Sequence, residues 1–469
     1  MSFTSVTYFL FVGISLLIYT IVPKRAKWCV LLGASAVYYV MAAGLRTLWL
    51  VAAILIVYGG GLLLGHLNDQ GKARRKAAAD KEEKKQIRKK YDAKKRAVVT
   101  VAVLGVFGLL IALKYVNFLG ESAYGIAGLF GSESAYQPVQ ILLPLGISYY
   151  TLCAVSYVVD VYRGKYKPER NFFKLALFLC FFPQMTEGPI GKYEIMMPRL
   201  VEGHSFDFER DAQAVMRIFW GMFKKMVIAD RANLFVTGVF DNGDQAGSMV
   251  LLGTLLYTVQ IYCEFSGCMD IVCATGQLFG VEMQENFRRP IFSKTINEFW
   301  QRWHITLGAW IKEYVFFSVS LSKGLMNLSK HTRKKLNDYF ANLVPMTFAL
   351  FCVWFFNGIW HGASWKYVLY GLYYYILMMI GMYLRPVSDK LLHALHIAPE
   401  SKGFALFQMV RTFLIVNVGM MLFRCHTISQ WGQSLARIFT DFDGACLTNG
   451  TVLSLGNDWQ DFLLSLIHI

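Results

Sequence analysis

The sequence predicts an all-α protein that crosses a membrane several times. Of its 469 residues, 55% are hydrophobic and only 17% are charged, whereas an average soluble domain has about 25% charged residues. The mean hydropathy is +0.40, and several apolar runs approach the roughly 20 residues that a helix needs to cross a bilayer. Positive charge is concentrated between two of these runs. Together these observations predict a polytopic transmembrane helical bundle.

The apolar runs predict about 10 or 11 spanning or half-spanning helices. We expect one domain over residues 1–469, with N-terminal helices in 1–119, a catalytic core at about 138–384 and C-terminal helices in 385–469. A last run at 462–469 is too short to span, so the chain either ends in a stub or is incomplete. The longer runs lie near 6–22, 28–43, 47–66, 97–119, 138–162, 171–190, 212–239, 250–280, 341–361, 366–384 and 404–423.

The charge distribution predicts the topology. The net charge is +16, and residues 72–96 contain 13 Lys or Arg against 4 Asp or Glu, so 13 − 4 places +9 in this one segment. Such a cluster beside a membrane helix marks the cytosolic side and attracts anionic lipid headgroups. The loop 120–137 has Glu121 and Glu133 but no Lys or Arg, as expected outside. Membrane lipids are therefore the expected partner of the basic segment, and nucleic acid is not.

Two polar, proline-broken stretches interrupt the apolar runs. Pro183 and Pro189 flank Glu187, and the stretch 286–291 combines an asparagine, two arginines and a proline. Polar or irregular backbone at membrane depth is tolerated only against protein or a water-filled cavity. We therefore expect 181–199 and 284–316 to form the walls of an internal funnel.

Two histidines, His304 and His361, lie in these otherwise apolar surroundings, and each follows a tryptophan. An ionisable group inside a membrane is costly and marks a functional site by default. Neutral imidazole is the cheapest such group to bury, and it exchanges a proton near pH 7. The alternative without a catalytic role is that both histidines are packed polar residues, whose rings form hydrogen bonds with backbone carbonyls.

The local sequence predicts how each histidine is presented. We expect 297–314 to form one helix with Trp300, His304 and Leu307 on a single face. The helix before His361 is expected to loosen at Asn357 and Gly358. Gly362 is expected to allow close backbone approach beside the imidazole.

Other catalytic signatures are absent from the sequence. It contains no Walker A loop, no G-x-G-x-x-G, no G-x-S-x-G elbow and no H-E-x-x-H. Its cysteines have no zinc spacing, so neither a metal nor a bound cofactor is expected. In the absence of these signatures, general-base catalysis by the two histidines is the simplest chemistry that the sequence supports.

Several short motifs follow one another along the chain. They are Phe-Phe-Pro-Gln at 181–184, Glu-Gly-Pro-Ile at 187–190, Glu-Phe-Ser-Gly at 264–267, Asn-Phe-Arg-Arg-Pro at 286–290, Phe-Trp-Gln-Arg-Trp-His at 299–304 and Gly-Ile-Trp-His-Gly at 358–362. These motifs resemble those of the membrane-bound O-acyltransferase family. Within it, the chain looks most like the bacterial branch that contains alginate O-acetyltransferase membrane subunits and the membrane protein of teichoic acid D-alanylation. Glu264 and Cys268 depart from the Asp and Tyr common in relatives.

This resemblance implies a fold and a site. The fold is a ring of helices around a thin centre, with a tunnel that joins cytosolic and outer funnels. His361 matches the family's catalytic histidine, and His304 matches the second one. In the implied chemistry, His361 is the general base, and His304 orients the acceptor or polarises the carbonyl. Trp303 and Trp360 would pack the two rings and exclude water, while substrate-binding candidates of lower rank are Asn286, Arg302 and Glu187.

The resemblance also implies partners and a location. The acyl donor would be a cytosolic thioester, either acetyl-CoA or the phosphopantetheine of an acyl carrier protein. The acceptor would be a hydroxyl of an extracellular or cell-wall polysaccharide, reached directly or through a secreted or membrane transferase, at the bacterial cytoplasmic membrane. Acetyl is the first expectation for the acyl group and D-alanyl the second. A transporter or channel for a lipid-linked glycan, with a histidine proton relay, and a scaffold without chemistry are the alternatives.

Overall fold

The computed structural model describes residues 2–131, 134–243 and 245–455, and its regular structure is helical. Within these ranges there is no β-strand, and the one extended pairing is an isolated antiparallel bridge between Phe287 and Trp303. The predicted all-α class is therefore confirmed. The short apolar run at 462–469 and the predicted outside residue Glu133 lie beyond the described residues.

The chain divides into two compact units, which are described separately. The first unit contains residues 1–217 and 272–284, and the second contains 218–271 and 285–469. The expectation of a single domain and of a ring with a central tunnel remains a prediction.

Helices α1–α9 follow one another from the first unit to the start of the second. In α1 the buried stripe includes Tyr8, Val12 and Tyr19, while Leu10 and Ile14 on the other side are exposed. A helix that is apolar all round is typical of a lipid environment. These helices are α1 Val6–Ile21, α2 Lys27–Ala43, α3 Thr47–Ala77, α4 Lys81–Leu110, α5 Val116–Leu129, α6 Ile147–Arg163, α7 Phe172–Cys180, α8 Tyr193–Glu202 and α9 Phe208–Met222.

Helices α10–α21 follow, and those that carry the site lie in the second unit. In α10–α21 the two histidine motifs fall at the α12–α13 junction and at the end of α16. The helices are α10 Asp230–Asp241, α11 Gly247–Leu278, α12 Ile296–Arg302, α13 Ile305–Ile311, α14 Phe317–Ser320, α15 Lys323–Thr332, α16 Asp338–His361, α17 Trp365–Tyr383, α18 Arg385–Ala394, α19 Lys402–Arg424, α20 Ile428–Thr440 and α21 Thr451–Ser454.

Short irregular turns connect or extend several of these helices. A π-helical turn is frequent at functional sites because it displaces the side chains that follow it. The π-helical segments are Ile111–Tyr115, Phe223–Ala229 and Lys312–Phe316, and the 3-10 turns are Lys24–Ala26, Gly44–Arg46, Pro290–Phe292 and Gly444–Leu447.

Five helical stretches of the described chain are long and apolar enough to cross a membrane, or six if the bent pair α17–α18 counts as one span. The other predicted runs are in shorter or broken helices. For example, α7 has 9 residues and ends at Cys180. Pro183 follows three residues later, and a proline cannot donate the backbone hydrogen bond that would continue the helix. The five are Lys24–Ala77, Lys81–Leu129, Gly247–Leu278, Asp338–His361 and Lys402–Arg424.

Candidate active site

The first histidine lies at a break between two helices. Helix α12 ends at Arg302, Trp303 is extended, and α13 begins at Ile305. His304 between them has φ 49° and ψ 51°, in the left-handed region. The predicted continuous helix over 297–314 is therefore wrong. A non-glycine residue in this region costs about 1–2 kcal/mol, so the surrounding structure must hold His304 in place.

Backbone pairing with the segment 286–288 holds this break. The Arg288 amide donates to the Arg302 carbonyl at 2.9 Å, and the Ile305 amide donates to the Asn286 carbonyl at 3.0 Å. The Asn286 side-chain oxygen also accepts from the Thr306 amide at 3.0 Å and from its hydroxyl at 2.6 Å. These bonds lie on both sides of His304. Asn286, which is buried, thus acts as a clamp on the turn.

Aromatic rings surround the His304 imidazole. The Phe265 ring centroid lies 4.8 Å from it and the Trp360 centroid 5.7 Å. The side chain is 7% exposed, and its Nδ1 atom has no hydrogen-bond partner among the described residues. A buried polar atom without a partner costs free energy. The described residues therefore leave the hydrogen-bonding capacity of this nitrogen unused.

The second histidine is the last residue of helix α16. The helix continues through Asn357 and Gly358 to His361, so the predicted loosening at 357–358 is wrong. The His361 ring lies 5.8 Å from the Tyr370 ring and 5.5 Å from the Phe423 ring, between centroids. Aromatic packing from α17 and α19 thus fixes the end of α16.

Close packing of α16 against α17 explains why the helix does not loosen. A Cβ atom at Gly358 would overlap the Tyr367 carbonyl oxygen, and one at Gly371 would overlap the Trp354 carbonyl oxygen. Small residues at such positions let two membrane helices approach closely. At Gly362 the space that a side chain would take is filled by the Tyr367 ring. The glycines around His361 therefore serve interhelical packing.

Both histidines line one cavity of about 400 Å³ within the second unit. Its wall is mostly apolar and includes Trp303 and Trp354. Besides the histidines, the polar side chains among the described lining residues are three amides, three indoles and one ammonium, and none is an Asp or Glu. Within the described chain, no three His, Cys, Asp or Glu side chains are grouped to hold a metal ion. The arrangement can place a neutral base beside an uncharged reacting group.

The structure places the other predicted site residues in different surroundings. Trp303 lines the cavity, and the Trp360 ring packs against both imidazoles, 5.7 Å from His304 and 5.0 Å from His361 between centroids. Arg302 forms an ion pair with Glu298 at 2.5 Å and does not line the cavity. Glu187 is exposed in the first unit. The binding roles assigned to Asn286, Arg302 and Glu187 therefore remain predictions.

Several residues that line the cavity were not among the site residues predicted from the sequence. Trp300, Trp354, Asn357 and Lys312 all line the cavity. The spacing of three to four residues from Trp300 through His304 to Leu307 did indicate a shared face. Lys312 belongs to the same series but resembled an ordinary charged helix residue. The contribution of Trp354 depends on tertiary packing, which local spacing does not show.

Comparisons with known proteins identify the family. The model of the membrane-bound O-acyltransferase family matches residues 169–332. The chain is 30% identical over 438 residues to a probable alginate O-acetylase of Azotobacter vinelandii, which covers 93% of this chain and 77% of that relative. The chain therefore belongs to the membrane-bound O-acyltransferase family, and it is a multi-pass membrane acyltransferase. The predicted family and enzyme class are both confirmed.

Relatives of lower identity have different activities. A peptidoglycan O-acetyltransferase of Helicobacter pylori is 28% identical over 316 residues, which are 62% of this chain and 56% of that protein. A teichoic acid D-alanyltransferase of Bacillus subtilis is 26% identical over 302 residues, 61% of this chain and 70% of that protein. The chain thus resembles enzymes with different acyl groups and acceptors.

Proposed function

We propose that the protein transfers an acetyl group from a phosphopantetheine thioester to a hydroxyl of a cell-surface polysaccharide, at the bacterial cytoplasmic membrane. The acceptor is reached directly or through a partner transferase. The observation that carries this proposal is that His304 and His361 line the same cavity. Acetyl is preferred because a probable alginate O-acetylase is 30% identical to this chain over 93% of its length.

The chemistry needs one base and one group that stabilises charge. His361 takes the proton from the acceptor hydroxyl as its oxygen attacks the thioester carbonyl carbon. The carbon–sulfur bond then breaks, the thiolate leaves, and the proton on His361 passes to the sulfur. General-base catalysis of this kind contributes about 10²–10⁴-fold.

His304 supplies the second role. Its buried Nδ1 has no partner among the described residues, so in the Nδ1–H tautomer it can donate a hydrogen bond to the carbonyl oxygen. A donor that is held in place before the reaction stabilises the developing negative charge. The clamp at Asn286 keeps the backbone of this residue fixed, so little reorganisation is needed.

The aromatic wall of the cavity protects the thioester. Trp303 is buried, and the Trp360 ring lies against both imidazoles. Exclusion of water prevents hydrolysis and strengthens electrostatic interactions. The apolar lining therefore directs the acyl group to the acceptor hydroxyl and away from water.

The test is the variant His361→Ala in a strain that lacks the native gene. We expect ester-linked acyl groups on the surface polysaccharide, measured by mass spectrometry, to fall at least about 100-fold while membrane levels of the protein stay normal. His393→Ala is the matched control, because His393 is exposed at the end of α18 and does not line the cavity. Wild-type acylation with His361→Ala would overturn the proposal.

D-alanyl transfer is the second candidate, and the similarity to the teichoic acid D-alanyltransferase favours it. The same mass measurement separates the two, because acetyl and D-alanyl esters differ in mass. A D-alanyl ester that disappears with His361→Ala would replace acetyl as the acyl group without changing the roles of the histidines.

A further inference from the structure

The helical segment 305–316, which follows His304, lines the cavity. Its residues Ile305, Gly308, Lys312 and Phe316 recur every three or four positions, and all of them line the cavity. At 1.5 Å per residue, Lys312 lies about 12 Å along the helix from His304. The cavity thus has a catalytic end, with the two imidazoles, and a far end, with a lysine.

The lysine is the notable feature of the far end. Lys312 is exposed, and among the described residues it makes no ion pair or hydrogen bond. No carboxylate of the described part of the chain lines the cavity, so none of these residues neutralises the positive charge of Lys312 within it. An ammonium group is costly in lipid, which places this end of the cavity at water. An apolar cavity with one cation at its aqueous end attracts an anionic group.

A glycine lies between the two ends. A Cβ atom at Gly308 would have only one neighbour within 4 Å, the Trp300 carbonyl oxygen at 3.7 Å. The glycine is therefore not required by packing or by a left-handed backbone, although glycine within a helix costs about 1 kcal/mol relative to alanine. The missing side chain leaves free space in the cavity wall between His304 and Lys312.

We propose that Lys312 binds the phosphate of a phosphopantetheine thioester donor, and that Gly308 leaves room for its pantetheine arm. This inference rests on the proposed function. The arm resembles a short extended peptide and reaches roughly 16 Å from sulfur to phosphorus at main-chain spacing. That length connects a thioester at the histidines with a phosphate at Lys312. Lysine binds phosphate as a point charge.

Two donors that differ only in the phosphate test the role of Lys312. Acetyl-phosphopantetheine and acetyl-pantetheine are titrated into the full-length protein in detergent, and Kd is measured by calorimetry. We expect Lys312→Ala to weaken binding of the phosphorylated donor about 10- to 100-fold, as for loss of a hydrogen bond to a charged group. Binding of acetyl-pantetheine should change by less than about twofold.

Two further variants complete this test. Lys312→Arg should restore most of the preference for the phosphorylated donor, because the charge is kept. Lys323→Ala removes another exposed lysine, which does not line the cavity, and it should leave both affinities unchanged. Equal weakening of both donors by Lys312→Ala, or no weakening of either, would overturn the assignment.

Gly308→Leu tests the path of the arm independently. The leucine side chain would fill the free space, so both donors should bind at least about tenfold more weakly, with no loss of thermal stability because the helix gains a better former. Gly324→Leu, at a glycine with no atoms within 4 Å, is the matched control. Unchanged donor binding by Gly308→Leu would show that the arm follows another path.

Coenzyme A and a carrier protein share the phosphopantetheine group, and the same variants distinguish these sources. If acetyl-CoA is the donor, Lys312→Ala weakens its binding as it does for acetyl-phosphopantetheine. If only an acylated carrier protein binds with this dependence, the carrier is the source. Loss of surface acylation by His361→Ala together with unchanged donor binding by Lys312→Ala would preserve the proposed function and reject this inference.

Discussion

The two histidines reach the same cavity by opposite structural means. His304 lies at a break between two short helices, where backbone hydrogen bonds to residues 286–288 hold a left-handed conformation. His361 ends a helix of 24 residues, whose position depends on glycine contacts with the next helix. The first arrangement fixes a side chain through the backbone, and the second fixes it through helix packing. The two sites should therefore respond to different kinds of substitution.

The largest expected effect is at the helix contact that positions His361. Gly358→Leu would place a side chain against the Tyr367 backbone and the Gly371 Cα atom, and overpacking of this kind costs about 3 kcal/mol or more. We expect a lower unfolding temperature in detergent and loss of activity. Gly381→Leu, on α17 at a position with no atoms within 4 Å, should keep both. Equal stability of the two variants would contradict the packing argument.

A smaller effect is expected at the clamp on His304. Asn286→Ala removes the acceptor for the Thr306 amide and hydroxyl, which costs about 2 kcal/mol when a buried donor is left unpaired. Misplacement of His304 should lower kcat by up to about 100-fold, whereas donor Kd should stay near the wild-type value. Thr306→Ser keeps the hydroxyl and should behave like the wild type. A normal kcat in Asn286→Ala would show that the clamp does not position His304.

The smallest expected effect concerns the backbone of His304 itself. His304→Gly and His304→Ala both remove the imidazole, but glycine adopts the left-handed conformation without the cost that alanine incurs. The glycine variant should be more stable by about 1 kcal/mol, measured by thermal or denaturant unfolding, although both variants lose activity. A more stable alanine variant would indicate that this backbone conformation is absent in solution.

The fold class and the positions of both candidate histidines could be predicted from the sequence, for reasons that can be named. Long apolar runs and a basic segment are properties of composition, and an ionisable group inside an apolar run is visible without any structure. The break at His304 was missed because Trp300, His304 and Leu307 fit helical spacing, and the pairing that ends the helix comes from residues 286–288. The role of Gly358 was misjudged because a glycine that loosens a helix and one that packs against a neighbour look identical in sequence.

Lys312 shows that sequence spacing alone also could not identify every residue of the candidate site. Its spacing from His304 places it on the cavity face, but its exposure and its lack of an ion pair among the described residues are tertiary properties. Motif resemblance makes Asn286 a substrate-binding candidate, which remains a prediction, and the structure adds that its buried side-chain oxygen accepts hydrogen bonds from Thr306. Motif resemblance thus identified Asn286 as a residue of the site, but it did not distinguish a residue that holds the turn at His304 from one that contacts the substrate.

The most direct test of the central claim is chemical rescue of His361→Ala. Purified protein is given a phosphopantetheine thioester and a polysaccharide acceptor, and thiol release is followed with and without added imidazole. If His361 is the general base, release falls by about 10²–10⁴-fold and rises again in proportion to the imidazole concentration. A wild-type rate in His361→Ala, or a lost rate that imidazole does not restore while donor binding is intact, would contradict the assignment.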